Sequence, residues 1–181
     1  MSGDSDLLKA AKKLDHDALA TVFDQFAPAI YKYCLRLSGN PAEADDTVGE
    51  VFEQLIHQLS KGKGPRDNLR SYLYQIAYHR VVDHSRESKH TSALDGSMPS
   101  EPGDLPASRH EGQEMLDALE AAIHSELTED QRHIIVLRFM ENFSLRETAN
   151  ITGKDIGNVK VIQSRAIAKL RPVLSLQFRE D

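Results

Sequence analysis

The chain has 181 residues, of which 40% are hydrophobic and 28% charged, proportions that suit one or two small water-soluble domains. Its apolar runs last only a few residues, as in Ile134-Ile135-Val136-Leu137, which excludes a membrane-spanning helix. The net charge of −6 hides a block pattern: residues 57–90 and 154–171 are each net +4, and residues 91–130 between them are net −9.

The start, Met1-Ser2-Gly3-Asp4-Ser5-Asp6, lacks the basic and then apolar pattern of a secretory signal, so a reducing cytoplasm is expected. The first apolar stripe begins at Ala18, with Leu19, Val22, Phe23 and Phe26 at three- and four-residue steps. Ile30, Tyr33, Cys34 and Leu37 continue it past Pro28. Cys34 is the only cysteine, which rules out a disulfide framework, and its place in the stripe predicts a buried structural thiol. Ser38-Gly39-Asn40 reads as a turn. Asn40 is then the cap of a second helix, with Pro41 at its first position. That helix buries Ala44, Val48, Val51, Phe52 and Leu55, and its other face carries Asp45, Asp46, Glu50 and Glu53. An acidic helix face is most often simply solvated. Gly62-Lys63-Gly64-Pro65 is a loop. A third helix spans about Asn68 to Ser88, burying Leu69, Leu73, Ile76, Ala77 and Val81.

Between Thr91 and His110, ten of twenty residues are Gly, Pro, Ser or Thr, and no helical or strand period is present. This composition cannot bury enough apolar surface to order itself. It predicts a flexible acidic linker over residues 93–110, joining domains at 1–92 and 111–181. Beyond it, Met115, Leu116, Leu119, Ala122 and Ile123 form a further helical stripe. Thr128, followed by Glu129-Asp130-Gln131, starts another helix, which holds Ile134, Ile135, Leu137 and Phe139 and ends near Asn142. The fold class is therefore all-α, with two small helical domains.

Residues 144–171 read SLRETANITGKDIGNVKVIQSRAIAKLR. Ser144 and Glu147 form a capping box. Gly153 stops the short helix and turns the chain, and Asp155 caps the next one. Leu145, Thr148, Ala149, Ile151, Ile156, Val159 and Ala166 are the packing positions. This is the spacing of a helix-turn-helix, whose second helix enters the major groove of DNA. Asn158, Lys160, Gln163, Ser164 and Arg165 are the donors and acceptors for base edges and phosphates. A helical hairpin with a solvated basic face has the same pattern.

Leu127 to Leu170 resembles, nearly throughout, the promoter-reading domain of bacterial sigma factors of the extracytoplasmic-function (ECF) group. Ala44-Asp45-Asp46-Thr47-Val48-Gly49-Glu50-Val51-Phe52 resembles that family's polymerase-binding helix. Leu69-Arg70-Ser71-Tyr72-Leu73-Tyr74-Gln75-Ile76-Ala77, with Asp83 and Arg86, resembles its promoter-melting helix. Domain order, linker and size agree, and the likeness covers most of residues 15–172.

The resemblance implies a protein that is not itself an enzyme. It implies binding to core RNA polymerase (its β′ and β subunits) and to promoter DNA, control by an anti-sigma factor in a stress or envelope response, no membrane insertion, and no cofactor or metal. It places Asp45, Asp46, Glu50 and Glu53 against the polymerase. Lys61, Lys63, Arg66, Asn68, Arg70, Tyr72, Arg80 and Arg86 fall to the −10 element, where the loop holds a flipped-out base. Asn158, Lys160, Gln163, Ser164 and Arg165 fall to the −35 element. Gly49 stands where a larger polar residue is usual, and Tyr72 where Trp is frequent. Ile162 and Gln163 are exchanged relative to the family's order, so either can face DNA. A stand-alone helix-turn-helix regulator leaves the melting-helix likeness unexplained. A metal-dependent hydrolase built on His79, Asp83 and His84 lacks further ligands.

Overall fold

A computed structural model describes the backbone of residues 2–95 and 111–177, and the side chains of residues 6–90 and 118–172. The described residues are helical throughout their regular structure and divide into two compact units, Met1–Pro102 and Gly103–Asp181.

The first unit opens with a helix that no sequence signal marked, α1 (Ser2–Ala11), anchored by buried Leu8 and Ala11. Leu14, left-handed at φ 58°, reverses the chain. Asp15 then caps α2 (His16–Ser38), its Oδ1 accepting from the Ala18 amide at 2.9 Å. This helix runs unbroken through Pro28 and is closed by Gly39, whose amide donates to the Leu35 carbonyl. Asn40 caps α3 (Pro41–Ser60) through its Oδ1, as expected. After the loop at 61–68, Asn68 Oδ1 accepts from the Ser71 amide and starts α4 (Leu69–Asp95). This helix outruns the expected end at Ser88, so residues 93–95 of the expected linker are helical. Its remainder, 96–110, lies outside the described residues.

Helices α2, α3 and α4 pack around one core. Val22, Ile30, Tyr33, Cys34, Val51, Leu73, Tyr74 and Ala77 are all inaccessible to solvent. Tyr33 meets Tyr74 edge-on at 5.2 Å between ring centres, a favoured aromatic geometry. Phe23 departs from expectation: it is 45% exposed, although its ring packs at a tilt against Phe52, 4.7 Å between centres.

Cys34 is the buried thiol expected. Burial, helped by the charge of Glu43, pushes its pKa up to about 12. Iodoacetamide at pH 8 is therefore expected to label Cys34 only as fast as this unit opens, and at full speed in urea. Rapid labelling of the native chain would contradict the packing.

The second unit contains α5 (Glu111–Glu126), α6 (Glu129–Ile135), a π-turn (Val136–Met140), α7 (Leu145–Thr152) and α8 (Ile156–Gln177). Gln131 Oε1 accepts from the Thr128 amide, fixing the start of α6. The expected single helix ending near Asn142 is instead interrupted. In the π-turn the Glu141 amide reaches back five residues to the Val136 carbonyl. The extra residue rotates the register, so Leu137 is fully buried while Phe139 is 53% exposed. Phe139, carried on the same expected helix as Ile134, Ile135 and Leu137, is thus not buried with them. Two apolar clusters hold the unit together. Ala122, Ile123, Leu127, Ile135, Ala166 and Leu170 form one, and Ile134, Ala149 and Val159 form the other, with Leu145 and Ile162 packed on it.

Candidate functional site

The acidic face of α3 is divided by tertiary contacts. Asp45, Asp46 and Glu53 are exposed. Glu50 is half-buried and turned toward α4, where its Oε1 lies 3.3 Å from His84 Nε2 and its Oε2 3.5 Å from Arg80 Nε. His84 Nδ1 sits 3.3 Å from Thr47 Oγ1, and Thr47 donates to the Glu43 carbonyl. Arg80 also donates to Gln54 Oε1 at 2.9 Å. Glu50 and Arg80, expected to meet two different partners, thus bind each other. His84 is held in the same network, while His79 and Asp83 are exposed. No group of three His, Cys, Asp or Glu among the described residues is placed to hold a metal ion.

A Cβ at Gly49 would meet nothing within 4 Å. A mid-helix glycine costs about 1 kcal/mol relative to alanine. No contact within the described residues accounts for it, and it leaves a flat spot between Asp46 and Glu53 on the outer face of α3.

The loop before α4 presents Lys61, Lys63, Arg66 and Asn68 to solvent. Beneath it is a cavity of about 270 Å³ lined by Lys12, Leu59, Gly62, Lys63, Gly64 and Arg66. Gly64 must stay small, since a Cβ there would lie 2.8 Å from Leu59 Cδ2. Along α4, Arg70 is half-buried with its guanidinium 5.3 Å from the centre of the Tyr74 ring. Tyr72 is half-buried, and Tyr74 and Tyr78 are buried packing residues. Arg86 is exposed but lies five turns beyond the loop, roughly 27 Å along the axis at 1.5 Å per residue. The eight residues expected at the −10 element are therefore spread along the loop and α4 rather than gathered in one pocket, and Arg80 is turned toward α3.

The helix-turn-helix forms as expected. Ser144 Oγ accepts from the Glu147 amide while Glu147 accepts from the Ser144 amide at 2.8 Å. Gly153 turns the chain at φ 67°, a conformation that only glycine adopts without strain. Asp155 Oδ1 accepts from the Asn158 amide at 2.9 Å and caps α8. Asn158, Lys160, Ser164 and Arg165 are exposed on the outer face. Ile156, expected in the core, is 38% exposed.

Ile162 and Gln163, either of which could face DNA by sequence, are both half-buried. Gln163 is half-buried, and its Oε1 accepts from Arg138 Nε at 3.0 Å. Arg138 also donates to the Phe143 carbonyl, so it ties the π-turn to α8. Ile162 packs on the Ile134–Ala149–Val159 cluster. Val161, which sequence reasoning missed, is 47% exposed at the centre of the outer face. Its position one turn from both Gly157 and Ser164 was the available signal.

Residues 22–91 match Sigma-70 region 2 and residues 125–172 match Sigma-70, region 4. The chain is 30% identical over 167 residues to the ECF RNA polymerase sigma factor SigD of Mycobacterium tuberculosis (strain ATCC 25618 / H37Rv), spanning 87% of this chain and 77% of that protein. It is 26% identical over 176 residues to the ECF sigma factor BldN of Streptomyces coelicolor, spanning 93% of this chain but only 65% of the relative's length. The sigma factor RpoE of Bartonella quintana, solved with the anti-sigma factor NepR, shares the fold. Its TM-score is 0.70 at 24% identity, covering 86% of this chain and 96% of that one. The chain belongs to the ECF RNA polymerase sigma factor family.

Among the described residues no helix is long and apolar enough to cross a membrane.

Proposed function

We propose that the chain binds core RNA polymerase, through its β′ and β subunits, and directs it to promoters from the cytoplasm. The polymerase carries the catalytic site, and this chain supplies specificity. The outer face of α3, with Asp45, Asp46 and Glu53, docks on a basic surface of the enzyme, and Glu50 braces that face from behind. The loop at 61–68 and helix α4 engage the −10 element, with Lys61, Lys63, Arg66, Asn68, Arg70, Tyr72 and Arg86 along the strand. Asn158, Lys160, Ser164 and Arg165 read the −35 element. Val161 adds an apolar contact suited to a thymine methyl group. Gln163 acts indirectly, by holding α8 against Arg138. Residues 93–110 join the domains 1–92 and 111–181, and their acidity keeps them off DNA. An anti-sigma factor that covers the charged faces, as NepR binds the RpoE relative, would silence the chain.

The observation that carries this reading is the solvent face of each matched segment: acids on α3, bases on the loop at 61–68, and hydrogen-bonding groups on α8.

Its test is transcription by core polymerase from promoters selected out of a randomised pool. Asn158→Ala is expected to relax the preference at one −35 position by about tenfold. Lys160→Ala is expected to weaken all −35 sequences alike and to lower the salt slope of duplex binding by about 0.9. Duplex binding of equal affinity and specificity without polymerase would instead support a stand-alone regulator.

A further inference from the structure

The cavity beneath the 61–68 loop is closed on one side by a residue from outside the matched segment, since Lys12 lies well before residue 22. Its position is fixed rather than incidental. The Lys12 amide donates to the Leu8 carbonyl at 3.0 Å, on the last turn of α1, and α1 is pinned by Leu8 and Ala11 in the core. From there Lys12 Nζ reaches the Arg66 carbonyl at 3.5 Å, across 54 residues of sequence. An ammonium has three donors, so this contact leaves two for a ligand.

The chemistry of the lining selects that ligand. Lys12, Lys63 and Arg66 are all exposed at the rim, and the lining contains no acid. A concavity lined by one sign of charge concentrates counter-ions of the other. The floor is the buried side chain of Leu59, approached through the bare backbone of Gly62 and Gly64. A flat apolar ring therefore fits the floor while an attached phosphate meets the rim. At about 270 Å³ the space lies just below the range of sites for drug-sized ligands, of about 300–1,000 Å³, so it has room for a single unstacked base whose sugar and phosphate stay at the rim.

We infer that Lys12 is a nucleic-acid-binding residue that contacts the phosphodiester of a single-stranded nucleotide seated in this cavity, making α1 part of the −10 reader. The inference rests on the proposed role of the 61–68 loop and adds to it a residue and an element. Lys13 is its natural control, because it is exposed next in sequence but does not line the cavity.

The experiment uses the holoenzyme and a labelled 15-nucleotide single strand that the wild-type holoenzyme selects from a randomised pool. Affinity is measured by fluorescence anisotropy between 50 and 200 mM salt. Each phosphate contact to a single strand contributes about 0.7 to the slope of log affinity against log salt. Lys12→Met keeps the stem and removes the charge. It is expected to flatten the slope by about 0.7, so that the variant loses roughly 2.6-fold less affinity than wild type across this range. Lys63→Met is expected to do the same, whereas Lys12→Arg and Lys13→Met keep the wild-type slope. A role confined to holding the Arg66 carbonyl would shift affinity but leave the slope unchanged. If Lys63→Met flattens the slope and Lys12→Met does not, the inference about Lys12 is overturned and the loop's role stands. If neither flattens it, the loop's role falls as well.

Discussion

Asp46→Lys should abolish stoichiometric co-elution with core RNA polymerase while leaving the melting temperature of the chain unchanged. Asp46 is exposed on α3 and shares the outer face with Gly49 and Glu53. Reversing its charge removes an attraction and adds a repulsion at the same place. Loss of a close interfacial charge pair costs about 2 kcal/mol or more, which is about 30-fold in affinity. Because the side chain is solvated in the free protein, folding has nothing comparable to lose. Glu50 behaves differently. It lies against His84 and Arg80, so Glu50→Lys would set three basic groups together at the α3–α4 contact. That variant loses stability as well as binding, and its failure to bind polymerase would not by itself locate the interface. Asp46 separates the two effects. Competition of the variant with wild type for purified core is the measurement. Equal affinity would remove the outer face of α3 from the interface.

The contrast between Asp46 and Glu50 also marks how far the sequence could be read. Their spacing of four residues places them on one side of a helix, but it cannot say which carboxylate a neighbouring helix will claim. Arg80 and His84 decide that from 30 and 34 residues away. Helices α2 and α3 were legible because their apolar periods are regular and both have capping residues with one strong conformational preference. Helix α1 was not. It is only ten residues long, too short to be stable alone, and it exists because Leu8 and Ala11 find the core. The continuation of α4 to Asp95 lacks an apolar period altogether. The π-turn was hidden for the opposite reason: Ile134 to Met140 is apolar almost throughout, so a one-residue slip in register leaves no trace in the pattern. Its consequences are local but functional. Phe139 turns out to solvent, and Arg138 comes to lie where it holds Gln163 of α8. On α8, Val161 faces outward and Ile162 packs inward. That outcome belongs to the packing of two helices, and neither helix's own sequence contains it.

Acid is expected to weaken the second unit through His133. This imidazole is only 1% exposed on α6. Burial pushes its pKa down to about 4, against the opposing pull of Glu129 and Asp130. In the unfolded chain a histidine titrates near 6.5. Between these values the unfolded state binds a proton that the folded state refuses, so stability rises with pH and falls as pH drops. The contribution is fully present above about pH 6.5 and is lost progressively down to about pH 4. Over that window the lowered pKa corresponds to roughly 3 kcal/mol, a large share of what a small domain has to lose. Urea unfolding at pH 7 and pH 5, followed by hydrogen exchange of amides in α6 to α8, measures the effect where it acts. The wild-type chain should lose protection in this unit at pH 5, and His133→Gln, which cannot take up the proton, should lose much less. The imidazole itself should show no NMR titration between pH 6 and 8. Identical pH dependence in the two chains would mean that His133 is protonated in the fold, and that the core around it is open to water. His133 lies in the unit that carries α8, so the proposed −35 contacts should weaken on acidification as this unit opens.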